Sequence, residues 1–586
     1  MLRLTKYLKP YLWLIVILVV LVYLQVQANL ELPNYMAKII DAGIIGGDMQ
    51  AIYHNGLLML VFTLAGGVAA IGVGFLATKI ATGLARDLRN KVFTKVENFS
   101  AVEFNKFSTA SLITRSTNDV QQVQTVMTML LRVILMAPFM AVVALQNALR
   151  NAPELSWIIA IAVIVLLGLI IVLLVFGLPK FKILQKLVDR LNLVTREGLT
   201  GLRVVRAFNN ESIEEKKFDD VNQELTQVNI FVNRLMSILQ PFMAFVLNLA
   251  TIAIVWFGAH LISENSIEIG GMMAFMQYAI QVITSFLMLS MIFVMVPRAS
   301  VSANRIIDVI DTEISIEDPE KPVAPTKNGH GQVEFRDVTF TYPDADYPVL
   351  SGINFVAKSG QTTAFIGSTG SGKSTLINLI SRFYDVTAGQ ILIDGIDIRN
   401  FKLKDLYSQI GYVPQKGVLF SGTVNSNIKF GNKNASKKEV QRALIVAQAN
   451  EFVKKMTKGT DSHIAQGGSN VSGGQKQRLS IARALIVKPN IYIFDDSFSA
   501  LDLKTDAVLR KELFKETRGK TVLIVGQRIS TIMGADQIIV LDEGKIVGQG
   551  THDELLKNNL IYQEIASSQL SKEELNSTQI KNKGIL

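Results

Sequence analysis

Apolar residues are concentrated in the first half of the chain and come in blocks of membrane length. The clearest runs from Trp157 to Leu178, WIIAIAVIVLLGLIIVLLVFGL, with no charged or strongly polar residue. At about 1.5 Å of rise per residue, roughly 20 helical residues cross the hydrocarbon core of a bilayer. Five further blocks, near 11–32, 57–80, 126–147, 238–262 and 270–296, have apolar centres, so the pattern predicts six membrane-spanning helices. Several blocks also carry amides: Gln25, Gln27, Asn29, Gln240, Asn248, Gln277 and Gln281. Such groups are costly in lipid unless they face protein or water. Hydrogen bonding between helices and a polar-dotted substrate cavity are the two readings of them.

Basic residues orient the spans. The connections after the first and fifth, DAGIIGGDMQAIYHNG and HLISENSIEIGG, contain no Lys or Arg. Arg3, Lys6 and Lys9 precede the first span. Arg86, Arg89, Lys91 and Lys95 follow the second, and Lys180, Lys182, Lys186, Arg190, Arg203 and Arg206 follow the fourth. Positive charge stays on the cytoplasmic side, which predicts both termini there. The two basic connections are long, about 45 and about 60 residues. Helical periodicity in ATGLARDLRNKVFTKVENF and SIEEKKFDDVNQELTQVNIF predicts that the membrane helices continue as cytoplasmic stalks. The stalks turn near SAVEFNKFSTASLITRSTND and GLRVVRAFNNES. Helices lying flat on the membrane surface are the alternative.

Composition agrees with membrane embedding: 49% of the 586 residues are hydrophobic and only 18% charged, with a mean hydropathy of +0.32. The absence of cysteine excludes disulfides and Cys-based metal sites. The net charge of +10 is read as cytoplasmic-side positive charge, and no basic low-complexity tail points to nucleic acid as a partner. The opening MLRLTKYLKPYLWLIVILVV has the outline of a signal peptide, but no small-residue cleavage site follows promptly, so it is read as a retained first span.

After Pro297 the character of the chain changes. A transmembrane domain is expected over 1–310, and TEISIEDPEKPVAPTKNGHG, with three prolines and no periodicity, marks a linker over 311–331. From Gln332 short strands and helices alternate, predicting a mixed α/β domain over 332–565. A polar tail, ASSQLSKEELNSTQIKNKGIL, is expected over 566–586 and carries no identifiable chemistry. Within the α/β half, FIGSTGSGKSTLINLI matches G-x-x-x-x-G-K-[ST] between a β-run and a helical run. Gly367, Ser368, Thr369, Gly370, Ser371, Gly372, Lys373, Ser374 and Thr375 therefore form a candidate ATP loop. Its N–H groups cradle phosphates, Lys373 adds charge to the β/γ-phosphates, and the Ser374 hydroxyl reaches Mg²⁺. Asp495 ends a second apolar run, IYIFDD, and is the matching Mg²⁺ carboxylate.

Between these lies NVSGGQKQRLSIARALIVKPN. Ser472, Gly473, Gly474 and Gln475 followed by QRLSIARAL closely resemble the signature motif of ABC ATPases. The resemblance covers nearly the whole chain. It implies Tyr342 for adenine stacking, Gln415 as the Q-loop glutamine near Mg²⁺ and the attacking water, and Ser499, Ala500, Leu501 and Asp502 as the D-loop. ITRSTNDV and GLRVVRAFNNE look like the coupling regions of six-span ABC exporters. In that family the signature serves ATP held by an opposing domain, so a second half-transporter is implied.

Three positions depart from the family pattern. Asp496 replaces the glutamate after Asp495, Gln527 replaces the switch histidine, and Gln466 stands where exporters usually carry a glutamate. Asp is one methylene short, and a misplacement of about 1 Å can cost about 10²-fold. An amide can donate a hydrogen bond but cannot shuttle a proton. The reading is an ATP-driven exporter subunit of the bacterial cell membrane, similar to the degenerate-site half of heterodimeric multidrug exporters. Its partner is expected to bring the glutamate and the histidine, and its cargo to be amphipathic. A lipid or glycolipid flippase and an ATP-binding regulator without transport are the competing readings.

Overall fold

The computed structural model describes residues 2–290, 292–326 and 329–570. The expected tail from 571 to 586 lies outside the described residues. Two compact units result, one from Met1–Glu97 with Ser108–Thr312, the other from Asn98–Phe107 with the residues from Glu313 onward.

The first unit is helical. Its helices are α1 (Leu12–Lys38) and α2 (Met49–Glu97). The short α3 (Ala101–Lys106) belongs to the second unit. Then follow α4 (Thr109–Ser116), α5 (Asn118–Met129), α6 (Met136–Asn151), α7 (Ser156–Thr200), α8 (Leu202–Ala207), α9 (Glu211–Ser237), α10 (Leu239–Ser263), α11 (Ile269–Ser290) and α12 (Ile292–Asp311). Five helical runs among the described residues are long and apolar enough to cross a membrane, and Pro153–Leu169 is a shorter apolar one at the start of α7. Each expected span overlaps one of these runs, and those expected over 157–178 and 270–296 extend past them.

The long connections are continuous with the spans. α2 runs unbroken for 49 residues and α7 for 45. At about 1.5 Å per residue α2 is roughly 70 Å long, more than twice a hydrocarbon core of about 30 Å. Its buried stripe runs without interruption through Ala69, Val73, Ala77, Ile80, Leu84, Leu88 and Val92, so one packing face serves both membrane and stalk. The stalk turns fall where the sequence places them. The second is made by Gly201, α8 and Asn209, which has φ 52°.

In α1, Leu18, Val22, Val26 and Leu30, one turn apart, are fully buried, while Trp13, Val16, Val20 and Leu24 are exposed. An apolar inner stripe with an apolar outer face is the pattern of a helix solvated by lipid. α1 packs on α2, α6 and α11, and α7 packs on α9 and α10. Hydrogen bonds between helices do occur, through residues other than the amides singled out in the sequence. Tyr278 donates to the Leu30 carbonyl (3.0 Å) and to Asn34 Oδ1 (2.7 Å), and Asn151 donates to the same oxygen (3.1 Å). Gln27 is satisfied within its own helix by Tyr23 (2.8 Å).

The second unit holds two larger sheets. Four strands are ordered Leu350–Ala357, Val333–Phe340, Ala388–Ile393, Ile396–Asp397. Six are ordered Lys545–Gly550, Gln537–Asp542, Thr362–Gly367, Thr521–Val525, Ile491–Asp495, Ile410–Val413. In the larger sheet every pairing is parallel except the one with Lys545–Gly550. Strands Ile491–Asp495 and Thr521–Val525 are buried at every position, which explains their unbroken apolar runs. Parallel pairing brings the carboxyl ends of these strands to one edge, the usual place for a ligand in such sheets. Residues 566–569, expected to begin the polar tail, instead complete a helix, Leu560–Gln569.

α3 is fastened inside this unit by Glu103. One carboxylate oxygen accepts from Ser100 N (2.7 Å), closing a capping box, and the other accepts from Ser315 N (3.0 Å) in the linker. Burial pushes the Glu103 carboxyl up, but the hydrogen bonds from Ser100 and Ser315 outweigh it and hold the pKa below its usual value. A lowered folded pKa stabilises above the usual range, about 4.3, and that stabilisation is lost as the pH falls through the folded value. Glu103→Ala should leave two donors without acceptors, a cost of about 1–3 kcal/mol. Hydrogen exchange at Ser100 and Ser315 should accelerate correspondingly, with the amides inside α2 unchanged.

Candidate functional site

The ATP loop follows strand Thr362–Gly367 and leads into helix Lys373–Ile380. Gly370 and Gly372 sit at φ 87° and 96°, a left-handed backbone that favours glycine. A Cβ on Gly372 would also come within 2.7 Å of Leu350 Cδ2. The Lys373 ammonium folds back over the loop and donates to the Gly367 carbonyl (2.9 Å), the Ser368 carbonyl (2.6 Å) and Ser371 Oγ (3.2 Å). Burial lowers its pKa, and the charges of Asp496 and Asp495 act against that shift.

Ser374 Oγ donates to Asp495 Oδ1 at 3.1 Å. Burial raises the pKa of Asp495, with the Ser374 hydrogen bond opposing. No cluster of three or more His, Asp or Glu among the described residues is arranged to hold a metal. The Ser374–Asp495 pair nevertheless fits Mg²⁺, which binds through one or two protein oxygens and completes its shell from phosphates and water.

Asp496 directly follows strand Ile491–Asp495. Its φ is 45°, its N–H donates to the Val525 carbonyl (3.0 Å), and it is buried. A single oxygen, Oδ2, accepts from Gln527 Nε2 (2.9 Å) and Gln415 Nε2 (3.3 Å). Burial raises this carboxyl's pKa, and hydrogen bonds from Gln415 and Ser499 oppose the rise. Gln415 lies just past strand Ile410–Val413 and Gln527 just past Thr521–Val525, so the sheet edge brings all three together.

The D-loop is pinned to the same backbone. Ser499 Oγ donates to the Asp496 carbonyl (2.9 Å), and Asp502 caps the next helix by accepting from Thr505 N (2.9 Å). A Cβ on Gly474 would meet the Ala500 carbonyl at 3.1 Å and Leu501 Cδ2 at 3.5 Å, so the signature helix starts close against the D-loop. Ser472 and Gln475 form a reciprocal capping box on helix Gly473–Leu485. Gln466 is exposed in a short turn before it.

A cavity of about 520 Å³ lies over the ATP loop, bounded by Gln415 and Gln527. Ser472, Gly473, Gly474 and Gln475 do not line it. Neither does Tyr342, whose hydroxyl sits 2.9 Å from Thr375 Oγ1. Tyr342 packs edge-on against Tyr384 (5.3 Å between centroids), which accepts a hydrogen bond from Asn105 of α3 (3.0 Å). A side-chain chain of Asn105, Tyr384, Tyr342 and Thr375 thus joins α3 to the P-loop helix. Val349, Ile565, Ser568 and Gln569 complete the cavity wall and were not expected there. The last three lie at the end of helix Leu560–Gln569, where buried Tyr562 and Ala566 at i, i+4 were the one available signal.

The chain matches the family described as ABC transporter transmembrane region over residues 15–286 and the one described as ABC transporter over 350–499. It is 41% identical over 569 residues to an uncharacterized ABC transporter ATP-binding protein of Mycobacterium tuberculosis, covering 97% of each chain. It is 36% identical to the uncharacterized ABC transporter ATP-binding protein YfiB of Bacillus subtilis, covering 97% of this chain and 98% of that one. An ATP-dependent lipid A-core flippase of Syntrophus aciditrophicus is 32% identical over 88% of this chain and 86% of its own. Among solved structures, a bacterial Atm1-family ABC exporter with ATP bound superposes with a TM-score of 0.78 at 26% identity, covering 96% of this chain and 99% of that one.

Asp495→Asn keeps the shape of the Ser374 contact and removes its charge. Photolabelling of this chain with azido-ATP should fall roughly tenfold or more in Mg²⁺ and change little in EDTA. Because burial raises the Asp495 pKa, Mg²⁺-dependent labelling of the parent chain should decline on acidification at a pH above the ordinary aspartate value of about 3.9.

Proposed function

The chain belongs to the ABC transporter family as an exporter-type half-transporter, and we propose that it is the slow-hydrolysing arm of a heterodimer that exports amphipathic molecules. The observation that carries this reading is the double use of Asp496 Oδ2 by Gln415 and Gln527. A carboxylate meant to polarise a water needs a free oxygen one methylene further out. Here Oδ2 of the shorter side chain is engaged by both amides, and Oδ1, which they leave free, lies one methylene closer to the backbone than a glutamate oxygen would. Gln527 can hydrogen-bond a phosphate oxygen but cannot carry imidazolium charge.

The rest of the site supports binding without rapid turnover. Lys373 and the loop N–H groups are placed for phosphates. Mg²⁺, when bound, neutralises phosphate charge, and Ser374 and Asp495 would hold it. The signature residues Ser472, Gly473, Gly474 and Gln475 lie outside this chain's own cavity, which suits service to ATP on an opposing chain. On this reading the partner contributes a glutamate and a histidine to a competent site, and has an imperfect signature of its own. ATP draws the two nucleotide-binding domains together, and the long helices α2 and α7 carry that closure to the membrane, turning the cavity outward. Hydrolysis at the competent site resets it. The basic loops support a cytoplasmic location for both termini.

A second reading, lipid flipping, is favoured by the similarity to the lipid A-core flippase of Syntrophus aciditrophicus. It predicts ATPase stimulation by one lipid class and little by unrelated amphipathic drugs, whereas drug export predicts broad stimulation. For the heterodimer, the tagged chain is co-purified with its partner and turnover measured. Asp496→Ala should change ATPase activity by less than about threefold, while Ser472→Ala should lower it by about 10²-fold or more. Comparable large losses from both would sink the slow-site reading.

A further inference from the structure

Gln569, the last residue of helix Leu560–Gln569, brackets the loop that carries Gln527. Its Nε2 donates to the Gln527 carbonyl at 2.8 Å, and its Oε1 accepts from Ile529 N at 2.8 Å. A primary amide is suited to this because it offers a donor and an acceptor together, and here it imitates the edge of a strand. A carboxylate or an ammonium could meet only one of the two groups. The other side of the loop is tied by Gly526 N to the Phe365 carbonyl (3.1 Å), so the loop is held from both ends. Gln527, thus fixed, reaches Asp496 Oδ2 at 2.9 Å.

The helix that delivers Gln569 is itself firmly placed. Asn559 caps it, accepting from Tyr562 N (2.8 Å). Tyr562 and Ala566 are fully buried, and the Tyr562 hydroxyl meets His552 Nδ1 at 2.7 Å. Tyr562 and Ala566, at i and i+4, face inward, while Gln569 is solvent-exposed at the end of the helix and is held by its two hydrogen bonds. Gln569 also lines the cavity over the ATP loop, together with Ile565 and Ser568.

We infer that Gln569 is a positioning residue for Gln527, so that helix Leu560–Gln569 helps this chain retain ATP. The inference rests on the Lys373 site being an ATP site; it does not depend on that site being slow or on the nature of the cargo. Gln569→Met keeps the length and apolar stem of the side chain and removes both hydrogen bonds. The transporter with its partner, in lipid nanodiscs, is loaded with Mg²⁺ and radiolabelled azido-ATP, chased with unlabelled ATP, and cross-linked at intervals.

Label on this chain should be lost roughly 3- to 10-fold faster in Gln569→Met than in the parent. In a Gln527→Ala background the same substitution should add little, because its route of action is gone. Gln569→Glu, which keeps the acceptor for Ile529 but sets a carboxylate against the Gln527 carbonyl, should lose label at least as fast as Gln569→Met. Parent-like retention in Gln569→Met, or an equal loss with and without Gln527, would overturn the inference. A parent chain that takes up no label would overturn the ATP-site assignment itself.

Discussion

Inside a bilayer no water is present to satisfy backbone N–H and C=O groups, so each must find its partner within its own helix. That constraint sets the form of the first unit. It favours long uninterrupted helices, and α2 and α7 extend it well past the membrane, at 49 and 45 residues. In α2 one buried stripe continues from Ala69 to Val92. A cap at Ser100 starts the helix after α2, and the left-handed Asn209 lies in the turn between α8 and α9. Directly after α2, the segment Asn98–Phe107 is folded into the second unit, with Glu103 holding the linker at Ser315.

In the second unit the governing constraint is parallel pairing. Strands that run the same way end on the same edge, so Gly367, Asp495 and Val525, distant in sequence, open their loops side by side. The groups that follow them are Lys373, Asp496 and Gln527. Asp496 stands on this edge with a left-handed backbone, its Oδ2 accepts from the two glutamine amides, and burial disfavours its charge.

Contiguous features were the legible ones. The span lengths, the stalk periodicity, the G-x-x-x-x-G-K-[ST] loop and the signature helix are written in short windows, and the folded chain places them accordingly. Tyr342 was legible as a neighbour of the ATP loop, though its hydroxyl engages Thr375 and its ring stays clear of the cavity wall. The amides in the spans were legible as polar but not as pairs. Bonds between helices include those of Asn34, Asn151 and Tyr278, because pairing depends on which faces of α1, α6 and α11 meet.

The sequence by itself determined the class of the protein and its departures at Asp496 and Gln527, because hydrophobic blocks and motif spacings are local properties of a chain. Only the tertiary structure decided what those side chains touch. Gln415 and Asp496 are 81 residues apart, Asp496 and Gln527 are 31 apart, and Gln527 and Gln569 are 42 apart. No periodicity reaches that far. Sheet order brings the side chains of Gln415, Asp496 and Gln527 within hydrogen-bonding distance, and the packing of Tyr562 and Ala566 brings Gln569 to the backbone of the Gln527 loop, so a stretch of apparent polar tail becomes a wall of the cavity over the ATP loop.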